Sequence, residues 1–381
     1  MKQGAINRCK EISEDPYTYL KQWKEKTDGK IISCFGMHIP EEIVHASGMI
    51  PVIAWRSNEP VTLGHSHVAT FNCGLTRSLI DDLVKDKLDF LDGIVTNRIC
   101  LQTQGMPFIL DQNVKIPYVE YLSLPALYQS RAIKAYLIEE MKRFKKSLEV
   151  FSGKTITTDD LNNSIQVYNK NRQLLKTIYD LRKKTPGIVK AKELLHIVHS
   201  SMLMAKEENN ELLKNVIDEL VNRKDIKLPE NPIRVIIYGG LCQTPNTEIL
   251  DLIEASNMVI VDDDIFVGSK YFAKPVDVSD NPIEALADVY LDNTPPCPTK
   301  GDYKTDWTDF LIDMAEKNNA QGIITLLIKY CPPHMCYYPD IKNKLSEKKI
   351  PELLIEVEHE VVSFEQIKTR LQTFAEIIQG V

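Results

Sequence analysis

Apolar residues recur along this chain at two spacings, and the switch between them divides it into three stretches. In the first, short apolar runs alternate with amphipathic segments. Residues 5–28 carry apolar positions at helical spacing and predict one amphipathic helix. Lys30–Cys34 (KIISC) predicts a short buried strand. Ile39–Gly48 (IPEEIVHASG) predicts a helix, with Pro40 in its first turn and Gly48 at its end. Met49–Trp55 is apolar and β-rich, a second strand. A helix follows Cys73 as far as Leu83; Leu91–Thr96 (LDGIVT) predicts a strand that ends just before Cys100, and Ile116–Tyr121 (IPYVEY) another.

From about Ala126 to Asn222 the pattern is Leu, Lys, Glu and Ile at helical spacing with almost no strand signal, which predicts three or four helices. Gly153 and the stretch Thr155–Asp160 separate the first from the second, with Thr158 or Asp159 as its cap. Strands then return. Arg234–Tyr238 (RVIIY), Met258–Val261, Gly322–Ile328 (GIITLLI) and Glu352–Val357 predict strands. Asn246–Ala255, Ile283–Leu291 and Trp307–Asn318 predict helices, and further helices follow Cys336 and end the chain near Ile378. Asp292–Tyr303, with three prolines and a glycine, predicts a loop.

Strands alternating with helices at this spacing imply parallel sheets with right-handed crossovers. The predicted fold is therefore α/β: two Rossmann-like lobes with parallel sheets, joined by a helical middle segment. The boundaries expected are 1–125 for the N-terminal lobe, 126–228 for the connector and 229–381 for the C-terminal lobe. The lobes share a grammar. Each opens with strand, loop, helix, strand (IISCFGMHIPEEIVHASGMIPV; VIIYGGLCQTPNTEILDLIEASNMVIV), and each later runs a buried strand into a cysteine (GIVTNRIC; GIITLLIKYC).

With 381 residues, 43% of them hydrophobic and 26% charged, the chain can bury a large core without disulfide staples. A net charge of −7 argues against a nucleic-acid surface, and Lys142, Lys145 and Lys146 read as solvated helix surface. The start (MKQGAINRCKEISEDPY) lacks an apolar secretion segment, and no apolar run approaches the roughly 18 residues that span a bilayer. A cytoplasmic protein is expected.

In that compartment the eight cysteines should be thiols. Inert core positions would account for them, since free cysteine is among the most buried residue types. Their placement favours more. Ligands of parallel α/β sheets bind beyond the carboxyl ends of the strands. Cys34, Cys100, Cys242 and Cys331 fall at such ends, and Cys73 lies at a loop-to-helix junction. Thiols gathered at a cleft suit a soft metal centre, as iron–sulfur clusters do. Zinc sites usually show paired knuckles, and the single close pair is Cys331 and Cys336, so zinc fits less well. Spacing alone leaves a cluster and inert thiols both open.

Other polar groups have plain readings. His38 could face the cleft, although a surface or hydrogen-bonded role is the simpler one. His334 is a candidate donor near a thiol. Glu41 and Glu42 suit the first turn of a helix through its dipole. Asp262, Asp263 and Asp264 read as a strand end entering a solvated turn. Gly153-Lys154-Thr155 lacks the first glycine of a P-loop, Leu148 standing there, and reads as a helix-breaking turn.

The segment PEEIVHASGMIPV (Pro40–Val52), then Cys73, Cys100 after a strand and KYCPP (Lys329–Pro333), resembles the 2-hydroxyacyl-CoA dehydratase and benzoyl-CoA reductase family. VIVDDDIFVG (Val259–Gly268) is similar to the smaller, β-type iron–sulfur subunit, and RLQTFAEII (Arg370–Ile378) also matches. The resemblance runs through nearly the whole chain in order. It implies one [4Fe–4S] cluster held by Cys73, Cys100 and Cys331, with one iron left open. It implies a heterodimer with a related larger subunit, a separate ATP-dependent iron–sulfur activator protein, and an acyl-CoA substrate. The implied activity is oxygen-sensitive loss of water from an (R)-2-hydroxyacyl-CoA through a ketyl radical anion. That route answers a chemical difficulty, because the β-hydrogen of the substrate is not acidic until one electron has been added. A benzoyl-CoA reductase subunit and a non-catalytic electron-relay subunit are the alternatives. A double-cubane relative would need a further cysteine in the VDDD segment, which has none. Two departures stand out. Leu101 and Gln102 follow Cys100 where an aspartate is frequent directly after the cysteine, and Pro332 and Pro333 after Cys331 remove two N–H donors.

Overall fold

The first strand of each half takes the centre of a parallel sheet. The computed structural model describes residues 4–380 apart from positions 56, 58, 126–129, 225, 227, 229, 241, 243, 294, 301–305 and 360–362. Strands β1 (Ile31–Phe35), β2 (Ile50–Ile53), β3 (Gly93–Asn97) and β4 (Tyr118–Leu122) pair in the order β2-β1-β3-β4. Strands β5 (Ile233–Gly239), β6 (Met258–Ile265), β7 (Gly322–Ile328) and β8 (Glu352–Val357) pair in the order β6-β5-β7-β8. Every pairing is parallel. The two sheets thus share one strand order, and the fold is the expected α/β pair of Rossmann-like lobes.

The first-lobe helices are α1 (Ala5–Glu14), α2 (Pro16–Thr27), α3 (Glu41–Ala46), α4 (Gly74–Val84) and α5 (Leu101–Asn113). The middle holds α6 (Ile133–Ser152), α7 (Thr158–Lys184), α8 (Ala191–Leu203) and α9 (Lys206–Val221). The second lobe adds α10 (Thr247–Ala255), α11 (Pro282–Asp288), α12 (Trp307–Lys317), α13 (Pro332–Glu347) and α14 (Phe364–Gln379). Strands β1, β3, β5 and β7 are almost wholly buried, as parallel strands covered on both faces must be. Period-two alternation sorts their side chains. Cys34 and Val95 join a cluster that continues through Phe144 and Ile178 of the middle helices to Ile237 and Leu326 of the second sheet. Phe35 and Ile94 face a separate core with Leu79. The middle helices are therefore a wall shared by both lobes.

Three expectations change. The predicted helix over 5–28 is two helices, because Pro16 cannot donate its N–H to a continuing helix. Pro16 instead opens α2, with the Asp15 side chain accepting from the Thr18 N–H at 3.1 Å. The cap of α7 is Thr157, which forms a reciprocal capping box with Asp160, rather than Thr158 or Asp159. Helix α5 has no counterpart in the sequence reading. Gly153 does end α6, in a left-handed conformation, as a helix-breaking turn. The predicted start of the helical middle at Ala126, and residues 301–303 of the predicted 292–303 loop, lie outside the described residues. The first two loop positions close a π-turn over Val289–Asn293. Lys142 and Lys145 pair with Glu139 and Glu149 along α6, as solvated helix surface does. No helix among the described residues is long and apolar enough to cross a membrane.

A half-buried hydroxyl ties α1 to α8. Ser13 Oγ lies 2.8 Å from His199 Nδ1 and 2.9 Å from His196 Nδ1. One hydroxyl proton serves two imidazoles only if they hold opposite tautomers. Burial pushes His199 down to about 3 and His196 to about 4. Unfolded histidine titrates near 6.5. The folded chain thus refuses a proton that the unfolded chain accepts, so the stability tied to His199 is full above pH 6.5 and drains away as pH falls toward about 3. Urea unfolding of the metal-free chain below pH 6 should fall more steeply with acidification than that of His199→Leu, by up to about 1.4 kcal/mol per pH unit. Equal slopes would show that His199 protonates freely in the folded chain.

Candidate functional site

In both sheets the chain steps off opposite sides of the first strand, which opens a crevice between β1 and β3 and between β5 and β7. Such switch points, at the carboxyl ends of the strands, are where open parallel sheets bind ligands. Matching residues line the two crevices. Gly36 follows β1 with φ +115° and Gly239 ends β5 with φ +112°, both in the left-handed region. A Cβ on Gly239 would fall on the Leu326 carbonyl oxygen and lie 2.6 Å from the His334 ring. Cys100 follows β3 and Cys331 follows β7, again in matching places.

Cys73, Cys100 and Cys331 are each half-buried, and each is the capping residue of a helix, preceding α4, α5 and α13 respectively. Helix N-termini favour negative charge and so favour thiolates. The Cys73 thiol lies 3.3 Å from Thr76 Oγ1. The Cys100 thiol lies 3.7 Å from Thr103 Oγ1, which also accepts from the Cys100 N–H at 3.2 Å. The Cys331 side chain makes no capping bond, since Pro332 and Pro333 open α13 without N–H donors.

Burial outweighs these donors. It raises Cys73 and pushes Cys331 up to about 12. Cys100 also raises Cys73, and Cys73 and Cys100 raise Cys331, so sulfurs from both lobes lie within electrostatic reach. Crowded, half-buried thiols are costly as bare thiolates and suit a shared cationic core. Among the described residues no three ligating side chains lie close enough to share a single metal ion. A cluster places its thiolates on separate irons and needs a wider spread than one ion does. Thiols are the ligand type that iron–sulfur clusters use.

The remaining cysteines divide. Cys242, with φ +59° beyond β5, lies within electrostatic reach of Cys100, Cys331 and Cys297. Cys297 is buried, its sulfur 3.0 Å from Thr299 Oγ1. Cys34 does not reach the crevice, because it lies inside β1 and packs into the shared core. Cys9 is buried in α1 and Cys336 is exposed on α13.

Sequence reasoning undervalued the acidic groups. Asp262, Asp263 and Asp264 form no solvated turn: β6 continues through Ile265 with every residue buried. Asp262 meets Lys183 at 2.6 Å, Asp263 meets Arg182 at 3.0 Å and Tyr179 at 2.8 Å, and Asp264 meets Lys270 and Trp307, both at 2.6 Å. Glu42 pairs with Arg172, and Glu41 accepts from Tyr271 at 3.1 Å and Tyr168 at 3.3 Å, with Lys206 at 3.6 Å. Burial raises Glu41 and lowers Lys206, driving that pair toward its uncharged form. Both glutamates are buried, so position in a first helical turn does not by itself explain them.

Glu41, Glu42, Arg172, Lys270, Tyr271 and Cys297 line a cavity of about 130 Å³ between the lobes. His38 also lines it, with φ +70° and a buried Nε2 that has no hydrogen-bond partner among the described residues. It is thus neither a surface nor a hydrogen-bonded histidine at that atom, and burial holds it down at about 3. His334 is fully buried beside the Tyr238 and Trp307 rings, and neither ring nitrogen has a partner among the described residues. Its ring therefore donates to no thiol among the described residues.

Matched α/β lobes closing on a crevice with capping thiols from both sides define a class of two-lobed, thiol-lined α/β protein. Within that class, the chain belongs to the 2-hydroxyglutaryl-CoA dehydratase, D-component family, which matches residues 36–378. It is similar to the (R)-phenyllactyl-CoA dehydratase beta subunit of Clostridium sporogenes, 28% identical over 98% of both chains. A benzoyl-CoA reductase subunit of Thauera aromatica and the (R)-2-hydroxyglutaryl-CoA dehydratase beta subunit of Acidaminococcus fermentans are also 28% identical, again over 98% of both chains. These relatives are subunits of enzymes, a dehydratase in two cases and a reductase in the third.

Proposed function

We propose that this chain is the β-type iron–sulfur subunit of an (R)-2-hydroxyacyl-CoA dehydratase. The carrying observation is that Cys73, Cys100 and Cys331 cap three different helices and converge from both lobes. In this reading they hold one [4Fe–4S] cluster, and one iron has no protein thiolate. When bound, such a group supplies single electrons, at potentials that reach about −700 mV at the low extreme. The chain's own residues do the rest. The three helix N-termini and the hydroxyls of Thr76 and Thr103 favour negative charge on the sulfurs. The half-buried loops limit water at the sulfurs.

The division into lobes at 1–125 and 229–381 with a connector at 126–228 belongs to this proposal. So do a cytoplasmic location, a related larger subunit, a separate ATP-dependent iron–sulfur activator protein and an acyl-CoA substrate. The need for a separate activator is supported by Gly153-Lys154-Thr155, which caps a helix here: Lys154 Nζ donates to the Ala46 carbonyl at 2.9 Å and pairs with Asp160.

A benzoyl-CoA reductase subunit is the second reading, favoured by the relative from Thauera aromatica at the same identity. The purified complex with its activator, given a 2-hydroxyacyl-CoA or benzoyl-CoA, separates them. Loss of water from the hydroxyacyl thioester with no ring reduction is expected. Ring reduction alone would transfer the chain to the second reading.

A further inference from the structure

One side chain joins the loops of all three thiols. Gln102 stands in the first turn of α5, two residues after Cys100. Its Oε1 accepts from the Cys73 N–H at 2.9 Å, and its Nε2 donates to the Tyr330 carbonyl at 2.7 Å. The Phe71 carbonyl lies 3.5 Å from the same nitrogen. Phe71 and Cys73 belong to the loop before α4 in the first lobe, and Tyr330 precedes Cys331 in the second. Tyr330 also holds φ +62°, a conformation that a non-glycine residue keeps only when its surroundings impose it. The Gln102 bond to its carbonyl is one such constraint. Other ties between the lobes at this edge are the ion pair of Arg77 with Glu358 at 3.5 Å, partly exposed and screened by salt, and a hydrogen bond from His359 Nε2 to the Glu59 carbonyl at 2.8 Å.

We infer that Gln102 is a positioning residue that sets the Cys73, Cys100 and Cys331 loops at the spacing of one shared cluster. The inference rests on the iron–sulfur reading above. The chemistry of the side chain makes it specific. The Cys73 N–H needs an acceptor, and the Tyr330 carbonyl needs a donor, on one planar group. A glutamine amide offers both. Glutamate has the same shape but only lone pairs, so it would turn an acceptor toward a carbonyl and add a charge beside the thiolates. Asparagine is one methylene shorter and cannot span both loops. Alanine leaves both groups to water.

The test compares the anaerobically purified complex carrying the wild-type chain, Gln102→Ala or Gln102→Glu. Iron and sulfide content, the EPR spectrum after reduction and the rate of iron loss to a chelator are measured, with circular dichroism as the check on folding. Both variants should fold and shift the EPR signature. Two hydrogen bonds at about 1 kcal/mol each predict iron loss roughly tenfold to thirtyfold faster for Gln102→Ala. Gln102→Glu should lose iron faster still. That order is diagnostic, because a space-filling role would spare the equal-sized glutamate and harm alanine. Iron loss within about twofold of wild type in both variants, or alanine worse than glutamate, overturns the inference. A wild-type complex without iron overturns the iron–sulfur reading and this inference with it.

Discussion

A chain with alanine in place of Cys331 is expected to leave anaerobic purification folded and without iron. The argument is geometric. Cys73 and Cys100 belong to the first lobe, whereas Cys331 is the proposed ligand on the second. Without it, a cluster would hang on two thiolates from one side, and two irons would lie open to water. Removal of a half-buried sulfur at a helix cap should leave the lobes intact, since the Cys331 side chain makes no capping bond and packs only at the margin of the core. Cys73→Ala and Cys100→Ala should likewise lose the full complement of iron and sulfide, and the EPR signal of the reduced complex with it. Cys336→Ala, one turn further along α13 and exposed, should keep both. Cys242 is the informative control. It sits within electrostatic reach of Cys100 and Cys331 and is the thiol best placed to substitute. Partial iron in Cys331→Ala that disappears in Cys331→Ala/Cys242→Ala would identify that rescue. Full iron in all three single variants would show that the ligand set is wrong.

The sequence made the sheets legible because parallel strands buried on both faces are continuous apolar runs: RVIIY and GIITLLI have no other ready explanation. The thiol positions followed from the strands, since Cys100 and Cys331 come directly after β3 and β7. Helix α5 stayed hidden for a physical reason. It is weakly amphipathic, exposes Leu101 at 78% and Phe108 at 77%, and carries Gly105 and Pro107 in its interior. Neither an apolar stripe nor good propensity marks it. The buried charges were illegible for another reason. Asp262 and Asp263 read as part of a turn because their partners Lys183 and Arg182 lie some 80 residues earlier, on a helix whose own pattern looks solvated. Gln102 carries no signal at all, because its second partner is 228 residues away.

Those same buried charges give the largest expected loss of stability. Asp263 is 2% exposed and Arg182 is 3% exposed. Asp263 takes a bond from Tyr179 at 2.8 Å, one from Arg182 at 3.0 Å and one from the Ser269 N–H at 2.8 Å. Asp263→Ala would strand the Arg182 guanidinium among apolar side chains, with the Asp262 carboxylate at 3.7 Å as its remaining close anion. Breaking a buried pair from one side typically costs about 3–5 kcal/mol. A domain has about 5–15 kcal/mol in total, so urea unfolding of the metal-free chain should show most of its margin gone. The effect should reach the crevice as well. Ser269 opens the turn that carries Lys270 and Tyr271, which line the cavity, so loosening Asp263 frees that wall. The pair itself is not a net source of stability, because both ions pay for leaving water. Asp263→Leu combined with Arg182→Met should therefore recover most of the loss, ending within about 2 kcal/mol of wild type. A single variant that costs under about 1 kcal/mol would mean that Arg182 finds water, and that the interior between α7 and β6 is wetter than the packing implies.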